Sequence, residues 1–330
     1  MKKPFFITID TEGDNGWDRP RNYETKNALG VERFQKFCES FGFKPIWLTN
    51  YEMSLDSTFV KVAREALRKN MCEIGAHIHP WNSPPDFSLT EADYKYLPYL
   101  IEYPDEIMEE KVIFLTNHLE SIFGEKIISH RAGRWATNEK YFKCLSKYGY
   151  KVDCSVTPLI NWKNSMGLPN GSGGPDYSSC PKRVYHPLMD NRKFFEIPMS
   201  TMNNVIFNNF LVNSIINISP KKLKETKVYN AINARKVMML RPRLGAGNKM
   251  LHMAEKLIAD PTVDYLEFMI HSSELYFGTS PNCKTEEQLD EIYKDMESLF
   301  RRIQKKCVSM TFKEYIESDF LQLEDEKFNA

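Results

Sequence analysis

The sequence predicts an α/β fold built around a parallel sheet or barrel. Short apolar, β-branched runs alternate along the chain with longer amphipathic segments, and this alternation is typical of strands joined by helical crossovers. The chain has 330 residues, of which 42% are hydrophobic and 27% are charged, an ordinary globular composition that can fill one large core. We therefore expect residues 1–330 to form a single domain.

The first half of the chain supplies most of this alternation. The run PFFITID at 4–10 is short, apolar and β-branched, which predicts a buried strand. A second strand at 43–49 leads to a helix at 57–70, for which Asp56 or Ser57 is the expected N-cap. The same patterns predict strands at 72–79, 127–131 and 150–156 and helices at 31–40, 105–123 and 138–148.

The regularity breaks after residue 160. Residues 161–187 are rich in Gly, Asn, Ser and Pro, and a loop of this length is either functional or a plain surface excursion. Residues at about 203–262 look mostly helical and are expected to form an insertion or cap. Around them the strand–helix pattern resumes, with strands at 194–201, 265–271 and 308–312 and a helix at 286–305.

Charge and cysteine content exclude several classes of protein. Lys+Arg and Asp+Glu both number 44, so there is no electrostatic case for binding nucleic acid or an anionic membrane surface. No run approaches the roughly 18 consecutive apolar residues that span a bilayer. The seven cysteines show no CxxC spacing and no signal peptide precedes the first strand, so we expect reduced thiols in a cytoplasmic protein. The sequence leaves open whether the chain forms a homo-oligomer.

Two carboxylates stand at the end of the first predicted strand, in the segment TIDTEGD. Asp10 and Glu12 are two residues apart, so on a strand both side chains point to the same face. Two adjacent carboxylates repel each other unless a cation or a proton lies between them. The pair therefore predicts a metal ion, a shared proton or both, with solvated acids in a turn as the alternative.

Two histidines end the third predicted strand, in the segment EIGAHIHPW. His77 and His79 also share one strand face, and two imidazoles at this spacing can bind one divalent ion. Trp81 follows closely and offers an aromatic surface on which a sugar ring could stack. Hydrogen-bonded structural histidines are the alternative, but the His-x-His pattern at a strand end favours a metal.

Further polar residues close later strands. Arg131, in SHRAGRW, can hold a carboxylate with its guanidinium fork or form a structural ion pair. Asp153, in VDCS, can orient Arg131 or a catalytic histidine, or cap a helix. His271, in FMIHSSE, suits general acid catalysis. Because parallel strands bring their carboxyl ends to one edge, we expect these groups to meet at one site.

Taken in this order, the motifs resemble those of the NodB-homology polysaccharide deacetylase superfamily, also called carbohydrate esterase family four. The TIDTEGDN, HIHPWNSPP and IHSSEL segments look most like a branch found in surface-polysaccharide (O-antigen) biosynthesis loci. The resemblance runs from the first strand to His271 and implies a distorted (β/α)7-type barrel of mainly parallel strands, with a helical insertion before the last motif. It also implies one catalytic domain that removes an N- or O-linked acetyl group from a sugar or a surface-polysaccharide precursor, using one divalent metal ion.

The resemblance assigns roles to individual residues. It implies that Asp10 is the general base, that Arg131 positions this base and that His271 protonates the leaving group. VDCS looks like the fourth family motif, which makes Asp153 a further catalytic candidate. Zinc is the first choice of metal, with cobalt, nickel or manganese as alternatives, and the ligands would be Glu12, His77 and His79. The candidate substrate-binding residues are Trp81, Arg134 and Trp135.

The sequence departs from the family pattern at three points. Family members usually carry two adjacent aspartates where Asp10 and Glu12 are separated by a threonine, so Asp14 could replace or join Glu12 as the acidic ligand. The paired histidines of the family are usually four residues apart, whereas His77 and His79 are two apart. The third motif lacks its usual proline.

Other functions remain open from the sequence. Another metal-dependent amide hydrolase, such as an amidohydrolase-type barrel, would also use a His-x-His pair, but usually on its first strand. A catalytically inactive carbohydrate-binding descendant of the fold would be compatible with the altered spacings. A glycosidase that uses only carboxylates would leave the histidines without a role. A bound metal with a free coordination position would favour an enzyme over a binding protein.

Overall fold

The structure is a computed structural model that describes residues 2–204 and 237–318. The strands of the described residues are β1 (Lys3–Thr11), β2 (Pro45–Thr49), β3 (Glu73–Ile78), β4 (Ser129–Ala132), β5 (Val152–Asp153), β6 (Phe195–Glu196), β7 (Thr201–Asn203), β8 (Val237–Met239), β9 (Leu266–His271) and β10 (Cys307–Ser309). All except β7 and β8 belong to one sheet, with the order β10-β1-β2-β3-β4-β5-β6 and with β9 paired to β1. Each pairing in this sheet is parallel.

The sheet curls into a half-barrel, and loop backbone bridges the gap between β6 and β9. The Glu267 N–H donates to Ser200 Oγ at 2.9 Å. Leu240 links both sides, because its N–H donates to the Ser200 carbonyl at 3.1 Å and its carbonyl accepts from the Met269 N–H at 3.1 Å. This arrangement confirms the predicted α/β fold, a distorted barrel of mainly parallel strands.

Helices surround the curled sheet, and capping residues mark where several of them begin. Asp56 is the N-cap of the helix at 57–68, since it accepts from the N–H groups of Thr58 and Phe59 at 2.8 and 3.1 Å. The helices of the described residues are α1 (Ala28–Ser40), α2 (Tyr51–Ser54), α3 (Ser57–Arg68), α4 (Asp93–Tyr96), α5 (Asp105–Phe123), α6 (Glu139–Lys147), α7 (Gly247–Ala259), α8 (Glu286–Lys306) and α9 (Phe312–Ile316).

Strand β1 separates two buried apolar regions. Phe5 and Ile9 belong to the larger core that the sheet forms with the helices, whereas Phe6 belongs to a smaller core. Because side chains alternate across a strand, Thr8 and Asp10 share the face of Phe6. Both are buried, with exposures of 0% and 3%. This face therefore changes from apolar to polar toward the carboxyl end of the strand, where the candidate site lies.

Most predicted elements are found where the sequence placed them. Helix α5 has the predicted bounds of 105–123. The strand predicted at 308–312 is shorter, because Thr311 and Glu314 form a capping box that starts helix α9. The strand predicted at 194–201 is divided between β6 in the main sheet and β7, which pairs with β8.

The expected insertion at about 203–262 is described in part, since residues 205–236 lie outside the described residues. In the remainder, β7 and β8 form an antiparallel pair, and helix α7 packs against helix α8. The assignment of this segment as an insertion or cap stays a prediction.

The Gly-rich segment 161–187 has no long helix or strand but is held in place. The Glu102 carboxylate accepts from the Leu168 N–H at 3.1 Å. Gly173 has a φ of +74°, and a Cβ there would lie 1.9 Å from the Lys163 carbonyl oxygen, so only glycine fits this turn. Gly173 therefore allows this segment to fold compactly.

The cysteines agree with the expectation of free thiols. All seven cysteines are free and six of them are buried. Within residues 2–204 and 237–318, no helix combines the length and the apolar composition needed to cross a bilayer.

Candidate active site

The carboxyl ends of the parallel strands bring the predicted residues together. Asp10 on β1 is the register partner of His271 on β9, and His77 on β3 is the register partner of Arg131 on β4. Register partners on neighbouring parallel strands point to the same face of the sheet. The residues that meet at this end of the sheet are Asp10, Glu12, His77, His79, Arg131 and His271.

Glu12, His77 and His79 form a group that could hold a metal ion. Glu12 Oε2 lies 3.5 Å from His77 Nε2 and 3.2 Å from His79 Nε2. One ligand atom from each of the three side chains lies within 4.8 Å of the others, and all three residues are buried. Imidazole nitrogens and a carboxylate oxygen are donors that zinc and similar divalent ions bind.

Hydrogen bonding and packing orient the two imidazoles differently. His77 Nδ1 donates to the Arg131 carbonyl oxygen at 2.9 Å, so in the neutral ring Nε2 carries the lone pair and faces Glu12. His79 Nδ1 is buried and has no hydrogen-bond partner among the described residues. The His79 ring stacks on Trp81 with a centroid distance of 4.6 Å. Gly133 permits this packing, since a Cβ there would lie 2.6 Å from His79 Cδ2.

The acids of this group favour a cation. Burial would lower the pKa of His77, but Asp10 and Glu12 outweigh burial and raise it, so a metal ion would compete with a proton for this imidazole. Burial, with a smaller contribution from His77, lowers the pKa of His79 to about 3, so this imidazole is neutral. Burial would raise the pKa of Glu12, but the surrounding histidines outweigh burial and lower it. Neutral imidazole and ionised carboxylate are the forms that coordinate metals. The donor set of one carboxylate and two imidazoles therefore fits a divalent ion.

Arg131 is wholly buried and holds Asp10 in place. Its Nη1 donates to Asp10 Oδ1 at 2.6 Å, and its Nε donates to the Cys154 carbonyl at 3.1 Å. The guanidinium also lies over the Trp135 ring, 4.7 Å from the centroid. Burial would raise the pKa of Asp10, but Arg131 and the nearby histidines outweigh burial and lower it. Asp10 is therefore an ionised carboxylate in a fixed position.

A second carboxyl group, on Glu267, shares the Arg131 guanidinium. Arg131 Nη2 donates to Thr8 Oγ1 at 3.0 Å and also bonds Glu267 Oε1. Burial raises the pKa of Glu267 to about 7, and the lowering effect of Arg131 offsets this only in part. Glu267 Oε2 is buried without a partner among the described residues. Arg131 thus bonds two carboxyl groups, the ionised Asp10 and the weakly acidic Glu267.

His271 faces both acids of the first strand. Its Nε2 lies 3.8 Å from Asp10 Oδ2 and 3.9 Å from Glu12 Oε1. The ring packs edge-on against Trp17 at a centroid distance of 4.9 Å. The imidazole therefore approaches the Asp10 oxygen that does not bond Arg131.

Glu274 and Arg241 hold the other nitrogen of the His271 ring. Nδ1 lies 3.2 Å from Glu274 Oε2 and 3.1 Å from Arg241 Nη2, and these two partners form an ion pair at 2.6 Å. One nitrogen cannot accept from Arg241 and donate to Glu274 at once. The neutral ring protonated at Nε2 suits Arg241, and the imidazolium suits Glu274. Burial would raise the pKa of Glu274, but Arg241 and His271 lower it to about 2.

Asp14, the alternative acidic ligand, points away from the histidines. Its carboxylate accepts from the N–H groups of Lys26 and Asn27 at 2.9 and 3.1 Å, and from Asn27 Nδ2 at 2.6 Å. These bonds fix the loop after β1 to the start of helix α1. The structure therefore brings Glu12, rather than Asp14, to His77 and His79.

Asp153 lies in the buried interior beside a different histidine. Its Oδ2 is 2.6 Å from His130 Nδ1 and accepts from Ser155 Oγ at 2.9 Å. The His130 ring continues to the Tyr141 hydroxyl, 2.7 Å from Nε2. In the described part of the chain, none of these bonds reaches Arg131 or His271. Asp153 is therefore placed to orient His130.

A cavity of about 420 Å³ opens at the site and contains the predicted substrate-binding residues Trp81, Arg134 and Trp135. Its volume lies in the range of small-molecule sites. Trp81 Nε1 donates to the Tyr23 hydroxyl at 3.1 Å. The aromatic residues that line the cavity are Trp17, Tyr23, Trp81, Trp135 and Trp162.

Several of these residues were missed from the sequence. Glu274 follows His271 by three residues, and the capping-box spacing of HSSE was a signal that could have found it. Trp17, Tyr23 and Arg241 lie in irregular segments, where no periodicity shows which way a side chain points. Their places in the site depend on the folded loops.

The sequence matches no protein-family model and no curated protein. Solved structures do resemble it. The 4-α-glucanotransferase from Thermococcus litoralis has a TM-score of 0.53 at 13% identity, over 96% of this chain and 40% of that protein. A protein assigned as a polysaccharide deacetylase from Mycobacterium smegmatis has a TM-score of 0.49 at 12% identity, over 94% of each chain.

A third similar structure is a protein from Bordetella bronchiseptica that is assigned as a polysaccharide deacetylase involved in O-antigen biosynthesis. Its TM-score is 0.39 at 9% identity, over 96% of this chain and 90% of that chain. Two of these three structures are assigned as polysaccharide deacetylases. At these identities the likeness concerns the fold alone.

Proposed function

We propose that this protein is a metal-dependent hydrolase that removes an N- or O-linked acetyl group from a sugar or surface-polysaccharide precursor. One observation carries the proposal. A buried group of metal donors, Glu12, His77 and His79, shares a cavity with an ionised carboxylate, Asp10, and with an imidazole, His271. A general base and a general acid beside a metal site are the groups that acyl hydrolysis needs.

The base in this mechanism is Asp10. Arg131 keeps this carboxylate ionised and fixes one of its oxygens, so Oδ2 remains to accept a proton. When bound, a divalent ion at the three-donor group would polarise the acetyl carbonyl and acidify a water molecule. Asp10 Oδ2 takes the proton of the attacking water.

The acid in this mechanism is His271. Glu274 and Arg241 fix Nδ1, so Nε2 faces the reacting group and carries the proton. His271 delivers this proton to the departing amine or hydroxyl of the sugar. Trp81 and Trp135 offer ring faces on which the sugar can stack while its acetyl group reaches Asp10.

The first test is the metal content of the purified full-length protein. We expect about one divalent ion per chain, zinc being the first choice, and its loss in a His77→Ala/His79→Ala double variant. His252→Ala is the matched control, because this exposed histidine lies on helix α7 outside the cavity. No metal in the wild type, even after addition of Zn, Co, Ni or Mn, would overturn the proposed mechanism.

The second test is acetate release from N-acetylated and O-acetylated sugars by the metal-loaded protein. Hydrolysis that disappears in the double variant and persists in His252→Ala would support the proposal. A bound metal without any acetate release, but with sugar binding, would favour the catalytically inactive carbohydrate-binding descendant. Hydrolysis of other amides, without release of acetate from acetylated sugars, would favour another metal-dependent amide hydrolase.

A further inference from the structure

The cavity of the candidate site carries an excess of arginine. Its two carboxylates, Asp10 and Glu12, are those already assigned to the base and to the metal group. A bound metal ion would offset the negative charge of these two acids. The arginines that line the same cavity are Arg19, Arg134, Arg241 and Arg243. A wall of this charge attracts and concentrates anions.

Two of these arginines have only neutral oxygens as hydrogen-bond partners in the described chain. Arg19 Nη1 donates to the Lys95 carbonyl. Arg134 Nη2 donates to the Met166 carbonyl at 2.8 Å and to Ser165 Oγ at 3.0 Å. A carbonyl or hydroxyl oxygen orients a guanidinium but does not cancel its charge. Arg241 differs, because its ion pair with Glu274 balances its charge within the protein.

Arg19 and Arg134 also lie close to each other. Both guanidinium groups reach the same short segment, Arg19 at the Lys95 carbonyl and Arg134 at the Leu97 carbonyl. Burial lowers the pKa of Arg134, and Tyr99 and the Glu102 carboxylate offset part of this shift. The like charge of Arg19 lowers the pKa further. An anion bound between the two groups would remove this repulsion.

The backbone around the pair is strained. Arg19, Leu97, Arg134 and Trp135 have φ values of 54°, 51°, 56° and 64°, a region that residues other than glycine rarely adopt. All four line the cavity. Strain of this kind persists where the surrounding structure imposes it, and it clusters at ligand-binding sites. Here it occurs at the two arginines themselves, whose guanidinium groups are held by hydrogen bonds to backbone carbonyls.

We propose that the substrate of this site is an acetylated sugar that carries an oxyanion, and that Arg19 and Arg134 bind this anion at the opening of the cavity. The guanidinium fork matches both phosphate and carboxylate, so a sugar phosphate and a uronic acid share the required chemistry. The acetyl group of the same sugar would reach Asp10 and His271. This substrate class rests on the proposed deacetylase function.

The test is titration calorimetry of the metal-loaded, full-length protein with three probes. N-Acetylglucosamine 1-phosphate carries a phosphate, N-acetylgalactosaminuronic acid carries a carboxylate, and the methyl glycoside of N-acetylglucosamine is neutral. We expect at least one charged probe to bind more tightly than the neutral one. Raising the ionic strength should weaken the charged probe more than the neutral one, because salt screens the contact.

Arginine variants show where the anion binds. In Arg19→Gln and in Arg134→Gln we expect affinity for the charged probe to fall about tenfold, the size of a lost charge-assisted hydrogen bond. The affinity ratio of charged to neutral probe should fall with it. Arg64→Gln is the matched control, since Arg64 also binds only a carbonyl, that of Ile122, on helix α3 outside the cavity. If Arg134→Gln unfolds, Arg19→Gln, at an exposed residue, decides the test.

The outcomes are distinct. Arginine-dependent binding of the phosphate probe identifies a sugar phosphate, and arginine-dependent binding of the uronic acid identifies a carboxylate. Binding of a charged probe that survives both arginine variants but is lost with a chelator would place the anion on the metal and overturn the proposal. Equal affinity for charged and neutral probes would also overturn it. Because calorimetry needs no turnover, absence of acetate release would count against the deacetylase function alone.

Discussion

Asp10 and His271 are register partners on neighbouring parallel strands, with Asp10 Oδ2 and His271 Nε2 3.8 Å apart. The sheet itself therefore sets the distance between the carboxylate and the imidazole. A further residue holds each of the two: Arg131 bonds the other oxygen of Asp10, and Glu274 bonds the other ring nitrogen of His271. The proposed base and acid thus lie side by side at the carboxyl ends of neighbouring strands.

The first prediction concerns Asp10→Asn. The change keeps the size of the side chain but removes the proton acceptor, so we expect acetate release to slow by about 10²–10⁴-fold. Metal content should stay at the wild-type level, because the metal group consists of other residues. Loss of the metal together with activity would show that Asp10 is a ligand and that the roles of Asp10 and Glu12 are exchanged.

The second prediction separates Glu12 from Asp14. Glu12→Gln removes one of three metal donors, so metal content should fall well below that of the wild type. Asp14→Asn should keep the metal but lower the free energy of unfolding by about 1–3 kcal/mol, because a buried carboxylate that accepts from Lys26 and Asn27 is lost. Elemental analysis and urea denaturation measure the two effects. The opposite pattern would make Asp14 the ligand.

The third prediction concerns Glu274→Gln. The imidazolium of His271 loses its anionic partner and its fixed orientation, so we expect kcat to fall about 10²-fold with little change in KM or in metal content. Glu291→Gln is the control, because Glu291 accepts from the Gly245 N–H near Arg241 but does not reach His271. A change in KM without a change in kcat would contradict a role in proton delivery.

The fourth prediction concerns pH and Glu267. Burial raises the pKa of Glu267 from its ordinary 4.5 to about 7, so the folded state holds a proton that the unfolded state has released in this window. Stability therefore falls as pH rises from about 4.5 to 7. The difference of about 2.5 pH units corresponds to about 3 kcal/mol.

Glu267→Gln tests this assignment, because glutamine resembles the protonated acid and does not titrate. Urea denaturation of the metal-free protein at pH 5 and at pH 7.5 should show a smaller loss of unfolding free energy in the variant than in the wild type. An equal pH dependence of the two proteins would mean that Glu267 titrates normally. The metal-free protein is used because metal binding to Glu12, His77 and His79 is itself pH-dependent and would add to the measured effect.

The sequence by itself determined the fold class and the core of the site. Strand periodicity of two gives Asp10 and Glu12 a common face, and the same rule gives His77 and His79 a common face. Parallel connections then carry every strand end to the same edge of the sheet, so Arg131 and His271 had to come near them. These inferences needed only local patterns and the direction of the strands.

Only the tertiary structure decided which partners the loop and buried residues take. The turn after β1 sends Asp14 to helix α1, and Asp153 meets His130 inside the barrel instead of Arg131. Arg19 lines the cavity together with Arg134, which is far from it in the sequence. Side-chain direction repeats along a strand, so it can be read from spacing, whereas a contact between distant loops depends on how the whole chain closes.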